Sequence, residues 1–116
     1  MNQRCLYIIK QAPYGSVAGI EAIEAAITSA NFDLSVSVLL LHDGVYQVKS
    51  GQGNILKNTA KTFQALADFG IDNVYVDKLS LDARGLSNTD LLSSCKLIES
   101  DAIKTLISEN DKVFVF

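Results

Sequence analysis

The sequence predicts an α/β domain, three layers deep, with a mostly parallel sheet of about five strands between helices. Apolar runs of strand length recur at Cys5–Ile9, Leu34–Leu41, Val74–Val76 and Lys112–Phe116. Segments with helical spacing stand between them, the alternation that right-handed βαβ crossovers produce. The third observation is size: 116 residues suffice for one core of ordinary domain dimensions, roughly 100–150 residues, and leave no room for a second. A single domain over 1–116 is expected.

Taken in order, Cys5-Leu6-Tyr7-Ile8-Ile9 is continuously apolar and ends at the turn Pro13-Tyr14-Gly15-Ser16, the pattern of a central strand buried on both faces. Ile20, Ile23, Ala26, Ile27 and Ala30 then mark one face of a helix, with Glu21 and Glu24 opposite and Ser16 placed to cap it. Leu34 to Leu41 is a second strand. Asp43-Gly44 suits a tight turn with positive φ, after which the chain bends and continues through Val45-Tyr46-Gln47-Val48. Lys49 to Asn54, with Gly51 and Gly53, reads as an exposed loop. Ala60, Phe63, Leu66 and Ala67 describe a second helix that stops at Gly70.

Val74-Tyr75-Val76 is the third strand, followed by a charged loop from Asp77 to Gly85. Ser87-Asn88-Thr89-Asp90 fits a capping box opening a short helix over Leu91 and Leu92, and Cys95–Ile98 reads as a brief strand. Ser100 and Asp101 are placed to cap a last helix whose inner face is Ala102, Ile103, Leu106 and Ile107, before the final strand from Lys112 to Phe116. In such folds chemistry sits outside the carboxyl ends of the strands. That singles out Gln11–Ser16, His42-Asp43-Gly44 and Asp77–Gly85.

Composition narrows the function. Hydrophobic residues make up 48% and charged residues 20%, which excludes a disordered or low-complexity chain. Ten Lys and Arg against 13 Asp and Glu give a net charge of −3, without the basic footprint of direct nucleic-acid binding. The longest apolar run is far short of the ~20 residues that span a bilayer, and the start lacks a signal-peptide pattern, so a cytoplasmic, non-membrane protein is expected. Cys5 and Cys95 form no CxxC and have no histidine cluster near them, so no disulfide framework, metal or cofactor is expected. A chain this short and this apolar is expected to keep grease for partners and to oligomerise.

Individual candidates are sparse. His42, the single histidine, could serve as a general base, but no nucleophile motif accompanies it; the plainer reading is a turn residue facing solvent. Gly51-Gln52-Gly53 lacks the context of a phosphate loop, and Pro13–Ser16 lacks a second glycine for close approach to a nucleotide. Cys5 opens a buried strand and is expected to be inert. Cys95, beside Lys96, is the weak fallback for thiol chemistry, because the ammonium would lower its pKa. Asp77, Lys78, Asp82 and Arg84 cluster after the third strand, either as a site or as a salt-bridged partner surface.

Ala12-Pro13-Tyr14-Gly15, Asp43-Gly44-Val45-Tyr46-Gln47, Val74-Tyr75-Val76-Asp77-Lys78 with Ser80-Leu81 and Ala83-Arg84-Gly85-Leu86, and the ending Asn110 to Phe116 occur in this order along one domain. Together they resemble the DsrE/DsrF-like family of small sulfur-relay proteins, in its DsrF and TusC branch, almost end to end. The resemblance implies a subunit of a cytoplasmic heterohexamer of three related chains. Its sister subunits would be TusB-like and TusD-like, or DsrH-like and DsrE-like, and sulfur would travel as a cysteine persulfide. In the first assembly the sulfur passes through a TusE-like acceptor toward 2-thiouridine at the tRNA wobble position; the second belongs to sulfur oxidation. The resemblance also implies a sulfur-bearing cysteine just after the third strand in the active subunit. Counting back from the Gly85 of the Arg84-Gly85 step, that position here is Asp77. A carboxylate cannot carry a persulfide, so a non-catalytic, structural subunit is expected, with Tyr14, Tyr46, Asp77 and Arg84 as interface candidates.

Overall fold

The structure, a computed structural model, describes residues 3–13, 16–49, 62–63, 65–91 and 94–116. Five strands, β1 (Arg4–Ile9), β2 (Ser35–Leu40), β3 (Asn73–Asp77), β4 (Lys96–Ile98) and β5 (Lys112–Val115), form one sheet in the order β4-β3-β2-β1-β5. Every pairing is parallel. β2 holds the centre, and β1 lies between it and β5, buried along its length from Cys5 to Ile9.

The order dictates the layers. From β1 to β4 the chain steps across the sheet in one direction, so right-handed crossovers lay these connections on one face; the return from β4 to β5 lays the last helix on the other. The helices are α1 (Ala18–Asn31), α2 (Lys78–Ala83) and α3 (Ser100–Glu109). Cys5, Tyr7, Ile9, Val36, Val38, Leu40, Val74 and Val76 point to the first face, where they pack with Ala22, Ile23 and Ala26 of α1, Leu66 and Leu81. Leu6, Ile8 and Leu39 point to the second, under Leu106 and Ile103 of α3. The alternation along each strand thus divides the sequence between two cores.

Four expectations change in detail. His42–Val48 is a 3₁₀ helix rather than a tight turn at Asp43-Gly44. Its buried Val45 and Val48 lie three apart, the repeat of that helix. The positive φ falls on His42 (51°), whereas Gly44 is needed for space: a Cβ there would lie 2.0 Å from the Ile9 carbonyl oxygen. Secondly, much of the charged stretch from Asp77 to Gly85 is α2, closed by Gly85 at φ 67°, with Gly85 N–H donating to Asp82 and Leu86 N–H to Leu81. Thirdly, the Ser87–Asp90 capping box is present but opens only a 3₁₀ turn, Asn88–Asp90, that ends at Leu91. Lastly, Ser16 and Ser100 are not caps proper: Val17 and Glu99 occupy those positions, although Ser16 Oγ accepts from Ala18 N–H at 3.1 Å.

The second expected helix appears as helical Thr62–Phe63 and a 3₁₀ segment, Ala65–Phe69, ended by Gly70 at φ 86°. Ala60, Leu92, Tyr14, Gly15 and the Gly51–Gly53 loop lie outside the described residues.

Candidate functional site

The carboxyl ends of β1, β2 and β3 lie side by side because these strands are neighbours and parallel, and the segments leaving them are tied together by side chains. Asp77 ends β3 and caps α2, its Oδ2 accepting from the Ser80 backbone N–H at 3.2 Å. The Ser80 hydroxyl donates to the same oxygen at 2.5 Å and accepts from the His42 backbone N–H at 2.9 Å. One serine therefore fastens the end of β3 to the end of β2. Arg84, at the far end of α2, closes the ring: Nε donates to Asp43 Oδ1 at 2.9 Å and Nη1 to the Ser80 carbonyl at 3.0 Å. From the β1 side, Gln47 Nε2 donates to the Gln11 carbonyl at 3.0 Å.

Burial separates the members. Asp77, Ser80 and Gln47 are almost fully buried, Arg84 is half-buried, and His42 and Asp43 are exposed. Gln47 packs so tightly on α1 that a Cβ at Gly19 would lie 2.3 Å from its Nε2. Asp77 Oδ1 is buried with no hydrogen-bond partner among the described residues. Lys78 and Asp82 pair on the outer side of α2 at 2.9 Å, which raises the Lys78 pKa through the hydrogen bond and the charge of Asp82. They border an open cleft of about 440 Å³ whose other charged residues, Glu99 and Asp101, are acidic.

The expected loops thus converge, and they bring Asp77 and Arg84 together around Ser80. Tyr46 is half-buried in the 3₁₀ helix, and Tyr14 is outside the described residues. Sequence reasoning missed Ser80 and Gln47. The signal for Ser80 was present: Asp77 three residues ahead of it is the spacing of an N-cap whose side chain meets the third helical residue. The thiols lie elsewhere. Cys5 is 1% exposed in the core. Cys95 is half-buried, and burial pushes its thiol up to about 11, so the depressed pKa expected from Lys96 is overturned. The Lys96 ammonium is engaged instead with Asn73 Oδ1 at 2.7 Å and sits 5.9 Å from the Tyr75 ring centre. No group of three or more His, Cys, Asp or Glu residues able to hold a metal occurs among the described residues.

Chemically, this is a latch rather than a nucleophile constellation. The Ser80 hydroxyl is buried and committed to a carboxylate, and no imidazole bonds to it. A parallel sheet with helices on both faces and its strand ends latched in this way defines a small three-layer α/β domain. The DsrE/DsrF-like family model matches residues 3–116, and the chain belongs to that family. It is 36% identical to the intracellular sulfur oxidation protein DsrF of Allochromatium vinosum, over 98% of this chain and 96% of that one. It is 34% identical to a TusC homolog of Pseudomonas aeruginosa, over 97% and 98%. The crystal structure of the Escherichia coli ychN protein superposes with a TM-score of 0.86 at 23% identity, over 98% and 99%, and shares the fold. No helix among the described residues is long and apolar enough to cross a membrane.

Proposed function

We propose that this chain is a TusC-type, non-catalytic subunit of a cytoplasmic sulfur-relay complex, packing against TusB-like and TusD-like sister chains and leaving persulfide chemistry to one of them. The complex would pass sulfur through a TusE-like acceptor toward tRNA wobble 2-thiouridine. The observation that carries this reading is Asp77. At the carboxyl end of β3, where the resemblance places a sulfur-bearing cysteine, this chain has a buried carboxylate committed to its own helix cap. A carboxylate supplies no sulfur, and its charge would repel a persulfide anion brought beside it. Neither thiol substitutes, since Cys5 is sealed in the core and Cys95 is held neutral. The acidic cleft beside α2 is equally unsuited to a bound anion.

A second reading, a DsrF-type subunit of a DsrEFH complex in sulfur oxidation, uses the same scaffold, and the 36% identity to a DsrF favours it. Native mass spectrometry of the complex recovered with a tagged copy tests the common core. Related small chains bound alongside, one of them carrying a persulfide mass increment, support the structural role; an increment on this chain's own Cys95 sinks it. Within the complex, Asp77→Asn keeps a capping side chain and should leave sulfur transfer unchanged. Loss of transfer with the complex intact would give Asp77 a part in the chemistry.

A further inference from the structure

Among the described residues, His42 is the one non-glycine with a positive φ, 51°, at the carboxyl ends of the strands. Asp33, the other non-glycine in this region, turns the chain at the opposite end of the sheet, between α1 and β2. Glycine adopts such a conformation freely and asparagine more readily than most residues, so the turn by itself does not ask for an imidazole. The latch nevertheless fixes this position twice: Ser80 Oγ accepts from the His42 N–H at 2.9 Å, and Arg84 holds the adjoining Asp43 at 2.9 Å. What it fixes is an exposed ring that bonds to no described residue. Arg84 and Asp43 offset each other's charge, and Asp77, joined to His42 through Ser80, is buried. A tethered left-handed residue whose side chain is unengaged, at the end of the sheet where α/β folds place their chemistry, is the mark of a presented group.

We infer that His42 carries the proton for sulfur transfer between thiols of other chains in the complex. The inference rests on the sulfur-relay reading and deepens it: this chain bears no sulfur but lends an imidazole to the chains that do. Imidazole is the side chain suited to take and return a proton near neutral pH. Within this chain the ring has no thiol to serve, since Cys5 is sealed in the core and Cys95 stands before β4, at the amino ends of the strands. His42 takes the proton of the acceptor thiol, and the thiolate so formed attacks the outer sulfur of the sister chain's persulfide. The electron pair of the old S–S bond leaves on the inner sulfur, which receives the proton back from the imidazolium. One S–S bond forms as one breaks, the proton makes a round trip, and no oxidant or reductant is consumed.

The test uses the complex recovered with a tagged copy of this chain. The sister-chain persulfide is formed with polysulfide and discharged to free cysteine at neutral pH, and the loss of its mass increment is timed. His42→Gly and His42→Asn both suit a positive φ, so each should leave the complex intact and its melting temperature unchanged or raised. Each should slow the discharge about a hundredfold, within the range of general acid–base catalysis. Added imidazole should restore the rate of the His42→Gly complex, a recovery that a turn residue has no means to show. Discharge as fast as wild type in both variants, or slow discharge that imidazole does not restore, would overturn the role of His42 and leave the relay reading standing. A wild-type chain recovered with no persulfide-bearing partner would overturn both.

Discussion

The two faces of the sheet are built from the same strands, yet one carries a broad core and the other a narrow one. On the α1 face the buried set runs from Cys5 through Val36, Val38, Leu40, Val74 and Val76 to Leu66, Leu81 and Leu91, contributed by every connection from β1 to β4. On the α3 face, among the described residues, only Leu6, Ile8, Leu39 and Leu106 form the buried cluster, and a helix of ten residues covers it. Topology makes this difference, because one handedness rule sends successive crossovers to the same side. The lesson is that one sheet can be packed densely on one side and thinly on the other.

The comparison would break first at the cores. Leu40→Ala, wholly buried on the α1 face, should cost about 4 kcal/mol, and Leu106→Ala, 7% exposed on the α3 face, about 2 kcal/mol, since cavity costs depend on how completely the site is enclosed. Urea unfolding of the two variants checks this. Equal losses would mean that the narrow core is as tightly enclosed as the broad one.

Next in size is the latch between strand ends. Ser80→Ala removes one of the two donors to Asp77 Oδ2, leaving the backbone N–H at position 80, and takes the acceptor from the His42 N–H. The expected cost is about 2 kcal/mol, in the range for unsatisfied buried polar groups. Arg84→Ala, whose partner Asp43 is exposed, should cost about 0.5 kcal/mol or less. If Arg84→Ala proved the more damaging of the two, the ends of β2 and β3 would be held by charge at the surface rather than by the buried serine.

How far the sequence foretold this follows from which signals were local. The strands were legible because two-sided burial makes them nearly continuous apolar runs, and their alternation with helices implied the parallel sheet. α2 was not legible as a helix, because six residues are too few to display a period and its outward Lys78 and Asp82 resemble a polar loop. The 3₁₀ helix from His42 to Val48 was hidden for a related reason: a single repeat of three, Val45 and Val48, is too short to mark a helix beside the Asp43-Gly44 turn signal. In the site, Asp77 and Arg84 were found by position at a strand end. Ser80 joins Asp77 to His42 over 38 residues of chain, a link that only the folded β2–β3 pairing creates.

Cys95 shows the same limit and gives the smallest effect on stability. Lys96 is its neighbour in the chain, but adjacent residues at a strand point to opposite faces. Cys95 packs toward the α1-face core, while Lys96 reaches Tyr75 and Asn73 on the other. Burial therefore governs the thiol and raises it from an ordinary value of 9.0 to about 11. In the unfolded chain the thiol ionises first, so the folded state holds the extra proton between these values. Stability should be unaffected by this group below pH 9 and should decline modestly as pH rises toward 11, in a way that Cys95→Ser abolishes. At pH 8 the native thiol should react with iodoacetamide about a hundredfold more slowly than free cysteine, the two-unit shift expressed as thiolate fraction. Labelling as fast as free cysteine would place Cys95 on an open surface and return it to consideration as a sulfur carrier.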